Sequence, residues 1–215
     1  MTTSPSLAKT ARQVCRNAFE GGGFRFLKGS FVTELGEGLL GCVKLGTAAY
    51  PAERKYLIGP VVGVRNMEVE RRVGDWWLVR REALNGKQLM ATASTPLGYI
   101  MPEQSYKSWH FSPDKDATSL AQDMIFSVEV FGLPWMKSLT DPRNLLNWLL
   151  EKQAASPDFR KFAIPALYCL LGETDRAREY IRQVVREIDD NGPGHMWSGY
   201  IVGWADDYKR VMLNV

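Results

Sequence analysis

Helical periodicity is the first pattern along the chain. The apolar side chains that recur at i, i+4, i+7, i+11 and i+12 are Leu7, Ala11, Val14, Ala18 and Phe19. This spacing places them on one face of an amphipathic helix. Ser4 and Pro5 are typical N-cap and first-turn residues, and the glycines at 21–23 suit the left-handed conformation of a C-cap. We therefore predict a helix that starts next to Ser4 and ends at these glycines.

Short segments that are separated by turn residues follow this helix, and Lys55–Val64 among them alternates apolar and polar positions. The predicted strands are Phe24–Leu27, Ser30–Leu35, Leu39–Leu45 and Lys55–Val64. Three further segments alternate less regularly: Trp76–Arg81, Gln88–Ala93 and Tyr106–Phe111. No crossover helix is predicted between these strands, so we expect them to pair antiparallel.

Helical periodicity returns after residue 113. A helix is expected from Asp116 or Thr118 to Phe131, where residues 132–134 (Gly-Leu-Pro) would break it. Further helices are predicted after Asp141-Pro142, over Asp158–Leu171 after Ser156-Pro157, over Asp175–Ile188 and over Trp197–Leu213. Strands followed by helices predict an α+β fold, with an N-terminal helix, an antiparallel sheet and a C-terminal helical segment packed on the sheet. We expect 1–112 and 113–215 to form its two parts, packed as one unit.

The composition narrows the possible functions. The chain has 7 Trp but only 2 His and 3 Cys, and the cysteines lie far apart. These residues do not form a Cys/His zinc site of the usual spacing or a disulfide framework, so no metal or cofactor is predicted. A net charge of +3 over 215 residues is too small to indicate a nucleic-acid or membrane partner. The absence of a signal-peptide pattern and the odd number of cysteines predict a cytoplasmic protein.

Two motif-like stretches lack the structural context of the motifs they resemble. Residues 36–41 match GxGxxG, but a strand rather than a helix is expected after them, so we interpret them as a turn with glycines inside strands. Residues 194–199 contain His195 and Ser198 but differ from GxSxG, and no strand precedes them, so we interpret them as a helix start. No catalytic residue is assigned.

A cluster of arginine and tryptophan is the most promising surface in the sequence. Its predicted binding residues are Arg71, Arg72, Trp76, Trp77, Arg80 and Arg81. Tryptophan and arginine are the favoured anchors of protein interfaces, and they also suit stacking on nucleic-acid bases. The structural alternative is an exposed sheet face that has no partner.

Trp109 and His110 complete the candidate set, because they stand at the end of a predicted strand. A single histidine without a second base or a metal partner has no assignable role. The second functional hypothesis is therefore a small-molecule-binding protein or enzyme, with Arg80, Trp109 and His110 in a pocket between sheet and helices.

Two segments resemble a family of uncharacterised bacterial α+β domains, some of which are polymorphic-toxin immunity proteins. Gly23–Phe31 looks like the glycine- and phenylalanine-containing start of that family's sheet, and Leu133–Thr140, followed by Leu145 and Leu146, looks like its closing helical segment. The resemblance covers about residues 5–152 and implies no catalytic residues. Together with the Arg/Trp cluster, it favours a non-enzymatic protein-binding domain of immunity-protein type, whose partner and oligomeric state stay open.

Overall fold

Strands and helices of this chain form two compact units in the computed structural model, which describes residues 6–74, 89–151 and 157–190. The sheet unit comprises Met1–Arg65 and Lys87–Thr140, and the helical unit comprises Asn66–Gly86 and Asp141–Val215. The expected division between residues 112 and 113 stays a prediction.

The described residues form six strands and seven α-helices. The strands are β1 (Arg25–Leu27), β2 (Ser30–Gly36), β3 (Leu39–Tyr50), β4 (Lys55–Asn66), β5 (Ala93–Pro96) and β6 (Trp109–Phe111). The helices are α1 (Leu7–Gly21), α2 (Met67–Gly74), α3 (Ala117–Ser127), α4 (Leu133–Ser138), α5 (Pro142–Glu151), α6 (Pro157–Leu170) and α7 (Thr174–Asp190). Short 3-10 turns at Pro51–Glu53 and Leu97–Ile100, and a π-helical turn at Val128–Gly132, complete the elements. The predicted α+β class with an antiparallel sheet is confirmed.

The sheet runs in the order β1-β2-β3-β4-β5, and β6 also pairs with β4. Tight turns set its first registers. Lys28 and Gly29 join β1 to β2 with φ angles of 48° and 82°, as in a type I′ hairpin turn. Gly38, with φ 68°, turns β2 into β3, and Phe31 of β2 then lies opposite Val43 of β3. The GxGxxG stretch is thus a turn between strands, as predicted.

Helix α1 covers one face of this hairpin region through a row of buried residues. Ala11, Cys15 and Phe19 are fully buried. The Phe19 ring stacks on Phe31 of β2 with centroids 4.5 Å apart and meets Phe24 edge-on at 5.5 Å. Aromatic contacts of this kind add specific geometry to apolar burial, so they fix α1 against β2 and the residue that precedes β1.

The start of α1 differs from the prediction by two residues. The N-cap is Ser6, whose Oγ accepts a hydrogen bond from the Lys9 N–H at 3.3 Å, whereas Ser4 and Pro5 lie outside the described residues. The predicted end is correct, because Gly22 is the C-cap and Gly23 has a φ of 83°.

The predicted break at Gly132 is wrong. Gly132 has helical angles (φ −68°, ψ −52°), and the chain passes through the π-helical turn directly into α4. The glycine serves close packing instead, since a Cβ at this position would lie 3.2 Å from Val62 Cγ1 and 3.5 Å from Leu97 Cδ1. Pro134 is the second residue of α4, directly after this turn.

The helical unit contains α2, α5, α6 and α7. Asp141 caps α5 as predicted, since its Oδ1 accepts from the N–H groups of Arg143 and Asn144 at 2.8 and 3.0 Å. Gly172, with φ 74°, ends the α6 segment as predicted. The exposed face of α7 carries the expected Arg/Glu pairs, for example Arg182 with Glu179 at 3.0 Å. The predicted helix Trp197–Leu213 lies outside the described residues.

Helix α2 is an element that the sequence analysis did not predict. Asn66 starts it by accepting hydrogen bonds from the N–H groups of Glu68 and Val69, both at 3.1 Å. The acidic first turn and the basic last turn complement the helix dipole. Arg71 and Arg72 therefore lie on a helix, not on the exposed sheet face that was the structural alternative to a binding surface.

Candidate binding groove

The predicted binding residues are distributed over separate parts of the molecule. Trp76, Trp77, Arg80 and Arg81 lie outside the described residues. Arg71 and Arg72 belong to α2 of the helical unit, whereas Trp109 and His110 belong to β6 of the sheet unit. Their binding role stays a prediction.

Arg71 and Arg72 both hold the carboxylate of Glu68. Arg71 donates through Nε and Nη2 at 3.0 and 2.8 Å, and Arg72 donates through Nε at 2.7 Å. The hydrogen bonds from Arg71, followed by those from Arg72, lower the pKa of Glu68 to about 2. These are local ion pairs of a solvated helix, which stabilise a protein only modestly.

Trp109 is part of the core of the sheet unit. Its indole is buried, its Nε1 donates to Asp123 Oδ2 at 2.7 Å, and Lys107 Nζ lies 5.1 Å from its ring centroid. A buried tryptophan whose N–H is satisfied is typical of packing. The side chain therefore offers little surface to a ligand.

His110 lies on the surface, next to a depression of mixed charge. Its Nε2 is 3.0 Å from Ser108 Oγ, and the depression is lined by both signs of charge, including Glu53, Lys55 and Asp114. Among the described residues, no carboxylate contacts the second ring nitrogen of His110, so the Ser108–His110 pair lacks the orienting group of a hydrolytic triad.

A second depression, which we call the α1 groove, lies between α1 and strands β1–β3. It has a volume of about 530 Å³. Lys9, Arg12 and Arg16 line it from the helix. The side chains that line it from the strands include Phe26, Phe31 and Leu45. All of these residues belong to the sheet unit.

Helical spacing brings the three cations of the groove together. Lys9, Arg12 and Arg16 occupy positions i, i+3 and i+7, which face the same side of a helix. They stand beside the buried row of α1, so they border the sheet rather than point away from it. One side of the groove is therefore basic.

The strands supply an apolar wall opposite these cations. Phe26 is 46% exposed, and its ring meets Phe31 edge-on at 5.2 Å. Leu45 lies two residues beyond Val43, the partner of Phe31, and thus on the same face of β3. The groove thus combines positive charge on one side with an accessible aromatic ring on the other.

Arg12 is held in place without a carboxylate. Its Nε donates to the buried Tyr56 hydroxyl at 2.8 Å, and its guanidinium carbon lies 5.6 Å from the Tyr56 ring centroid. Arg16 by contrast pairs with Glu20 at 2.8 Å and lies 5.1 Å from the Phe26 ring. Within the described part of the chain, neither Lys9 nor Arg12 forms an ion pair.

The sequence analysis missed this groove, although its elements carry a signal. The periodicity predicts the apolar face of α1, but it does not show which sheet residues lie next to the cations beside that face. The exposure of Phe26 depends on how α1 docks over β2, which is a tertiary contact. Periodicity alone does not determine it.

Cys15 is not an activated nucleophile. Burial raises the pKa of the Cys15 thiol to about 12, so that it stays protonated at neutral pH, and the thiolate is the reactive form. Across residues 6–74, 89–151 and 157–190, no three His, Cys, Asp or Glu side chains converge as metal ligands. In the same ranges, no helix has the length and apolar character needed to cross a membrane.

Comparison with known proteins found no matching family model, no similar curated protein and no similar solved structure.

Proposed function

We propose that this chain is a non-enzymatic protein-binding domain that holds its partner in the α1 groove. The observation that carries the proposal is that one groove holds both an accessible aromatic ring, Phe26, and two cations, Lys9 and Arg12, that no carboxylate of the described residues neutralises. Aromatic and arginine side chains supply much of the binding energy of protein interfaces.

The resemblance to immunity-type domains is consistent with this proposal. Such domains act by binding another protein, and Phe26 lies inside the segment Gly23–Phe31 that carries the resemblance. The family assignment itself stays a prediction.

A small-molecule ligand is the second candidate. The groove volume of about 530 Å³ lies within the range of roughly 300–1,000 Å³ that is usual for ligand pockets. We favour a protein, because the groove lies on the surface between a helix and a hairpin.

Affinity purification from the native cells tests the proposal. We expect the tagged full chain to recover one protein in a stoichiometric complex. Lys9→Glu/Arg12→Glu should lose it, because both changes reverse the charge of the groove. The control Lys44→Glu/Lys115→Glu, which changes the net charge equally at two exposed sites outside the groove, should retain it.

Two results would overturn the proposal. One is a partner that both double variants retain equally, since binding would then not depend on the groove. The other is a stoichiometric small molecule, seen by native mass spectrometry of the purified chain, that the groove variant loses.

A further inference from the structure

We infer that the occupant of the α1 groove is an extended acidic segment of the partner protein, with carboxylates at alternating positions and apolar side chains between them. This inference rests on the proposed function and specifies the chemistry of the partner. Its first support is charge complementarity: the basic side of the groove has two cations, Lys9 and Arg12, that no carboxylate of the described chain neutralises.

Arg12 is the expected anchor of this segment. Tyr56 occupies its Nε, and within the described residues its two terminal nitrogens have no hydrogen-bond partner. Arg12 also lines the groove. Paired N–H groups of this kind bind a carboxylate in bidentate fashion. Because the Tyr56 hydroxyl already fixes the guanidinium, less conformational freedom is lost on binding.

The spacing of the cations favours an extended segment. With a rise of about 1.5 Å per residue, Lys9 and Arg12 are about 4.5 Å apart along the helix axis, and Arg12 and Arg16 are about 6 Å apart. Side chains on one side of an extended chain repeat at about 6.8 Å. Flexible Lys and Arg side chains can compensate for a difference of this size, so alternate acidic residues would reach Lys9 and Arg12, and a third would share Arg16 with Glu20.

The second wall of the groove accounts for the apolar positions of the segment. In an extended chain, neighbouring side chains point to opposite sides. If the acidic residues face α1, the residues between them face the strands, where Phe26 and Leu45 lie. An apolar residue there would cover the exposed Phe26 ring, which favours an acidic and apolar alternation over a purely acidic run.

Fluorescence anisotropy with a synthetic peptide tests the inference. The probe is fluorescein-labelled Gly-Glu-Phe-Glu-Leu-Glu-Gly, the matched control carries Gln in place of each Glu, and the full chain is titrated. We expect the Glu peptide to bind at least tenfold more tightly than the Gln peptide. Its affinity should fall as salt rises, because exposed charges are screened.

Variants of the chain assign the contact to Arg12. Arg12→Gln should lower the affinity for the Glu peptide by about tenfold, the effect expected from losing a charged hydrogen-bonded pair. The affinity for the Gln peptide should not change. Lys44→Gln removes an exposed cation that lies one residue from Leu45 on the opposite face of β3, so it should leave both peptides unchanged.

Tyr56 is a positioning residue in this scheme. Tyr56→Phe keeps the buried ring but removes the hydroxyl that holds Arg12. In the chain that retains Arg12, this change should lower the affinity for the Glu peptide. In the Arg12→Gln variant it should have no further effect, since the two changes then act through one contact. A purely structural role would give additive effects instead.

Three outcomes would overturn the inference: equal affinity for both peptides, no effect of Arg12→Gln, or tighter binding of a labelled oligo-dT of similar length than of the Glu peptide. Each is distinguishable from failure of the proposed function. If purification from native cells still recovers a partner that Lys9→Glu/Arg12→Glu loses, the groove binds a protein of different chemistry. If purification recovers none, the proposed function itself fails.

Discussion

Replacement of Phe19 by alanine should cause a large loss of stability in the sheet unit. Phe19 is fully buried, stacks on Phe31 and meets Phe24 edge-on. Truncation of a buried phenylalanine costs about 3–5 kcal/mol through lost burial and the cavity that remains. The value should lie in the upper part of this range, because two ring contacts are lost as well.

Urea unfolding followed by circular dichroism measures this effect. With a slope of about 2 kcal/mol per molar urea, a loss of about 4 kcal/mol lowers the midpoint by about 2 M. The matched control is Phe126→Ala, which removes the same side chain where it is 60% exposed and should cost no more than about 0.5 kcal/mol. If the two units unfold in separate steps, Phe19→Ala should move one step only, and Leu145→Ala in the helical unit should move the other.

The reasoning is refuted if Phe19→Ala shifts the midpoint no more than Phe126→Ala does. Such a result would mean that α1 contributes little to the sheet unit. The wall of the groove that carries Lys9 and Arg12 would then not be fixed by the core.

Three further predictions concern single sites. Gly29→Val should lower the thermal midpoint by the equivalent of about 1–2 kcal/mol. Gly29 has φ 82°, and a Cβ added there would meet no atom within 4 Å, so backbone strain is the main effect. Gly29→Asn should lower the midpoint less, and equal losses for the two variants would contradict this explanation. The Glu68 carboxyl has its pKa lowered to about 2, so its ion pairs contribute stability above pH 4.5 that is lost as the pH falls towards 2. Glu68→Gln should thus lower the free energy of unfolding, measured in urea, by at most about 1 kcal/mol at pH 7 and by nothing below pH 2. A difference between the variant and the native chain that is the same at all pH values would refute the role of the Glu68 ion pairs. The pKa of Cys15 is raised to about 12. In a variant that lacks the other two cysteines, Cys15 should therefore react with a thiol reagent at pH 8 only after the protein unfolds. Rapid reaction of the folded protein would show that the thiol is not buried.

Local signals in the sequence were sufficient for much of the fold. The apolar alternation of β2 and β4 and the Asp141-Pro142 cap act within a few residues, so periodicity and capping rules identified them. Helix α2 has comparable signals in Asn66 and Glu68, but it directly continues a long strand, and no turn residue marks the change. It was missed for that reason.

The candidate site was harder to predict than the fold, because it depends on contacts between distant segments. Arg12 reaches Tyr56, a residue 44 positions away, and the exposure of Phe26 follows from the position of α1. Trp109, a candidate because it stands at the end of a predicted strand, belongs to the core, whereas Lys9 and Arg12, which carried no motif, line the groove.

The π-helical turn at Val128–Gly132 sets the rotational phase of α4. Such a turn holds one residue more than an α-helical turn, and one residue corresponds to about 100° of rotation around the helix axis. With this extra residue, Met136 is fully buried, and its Sδ would lie only 3.1 Å from a Cβ at Gly41, the last glycine of the GxGxxG stretch. Evolution of this region is therefore constrained in length as well as in composition: loss of one residue between 128 and 132 would turn Met136 out of the core while leaving every side chain of α4 chemically unchanged.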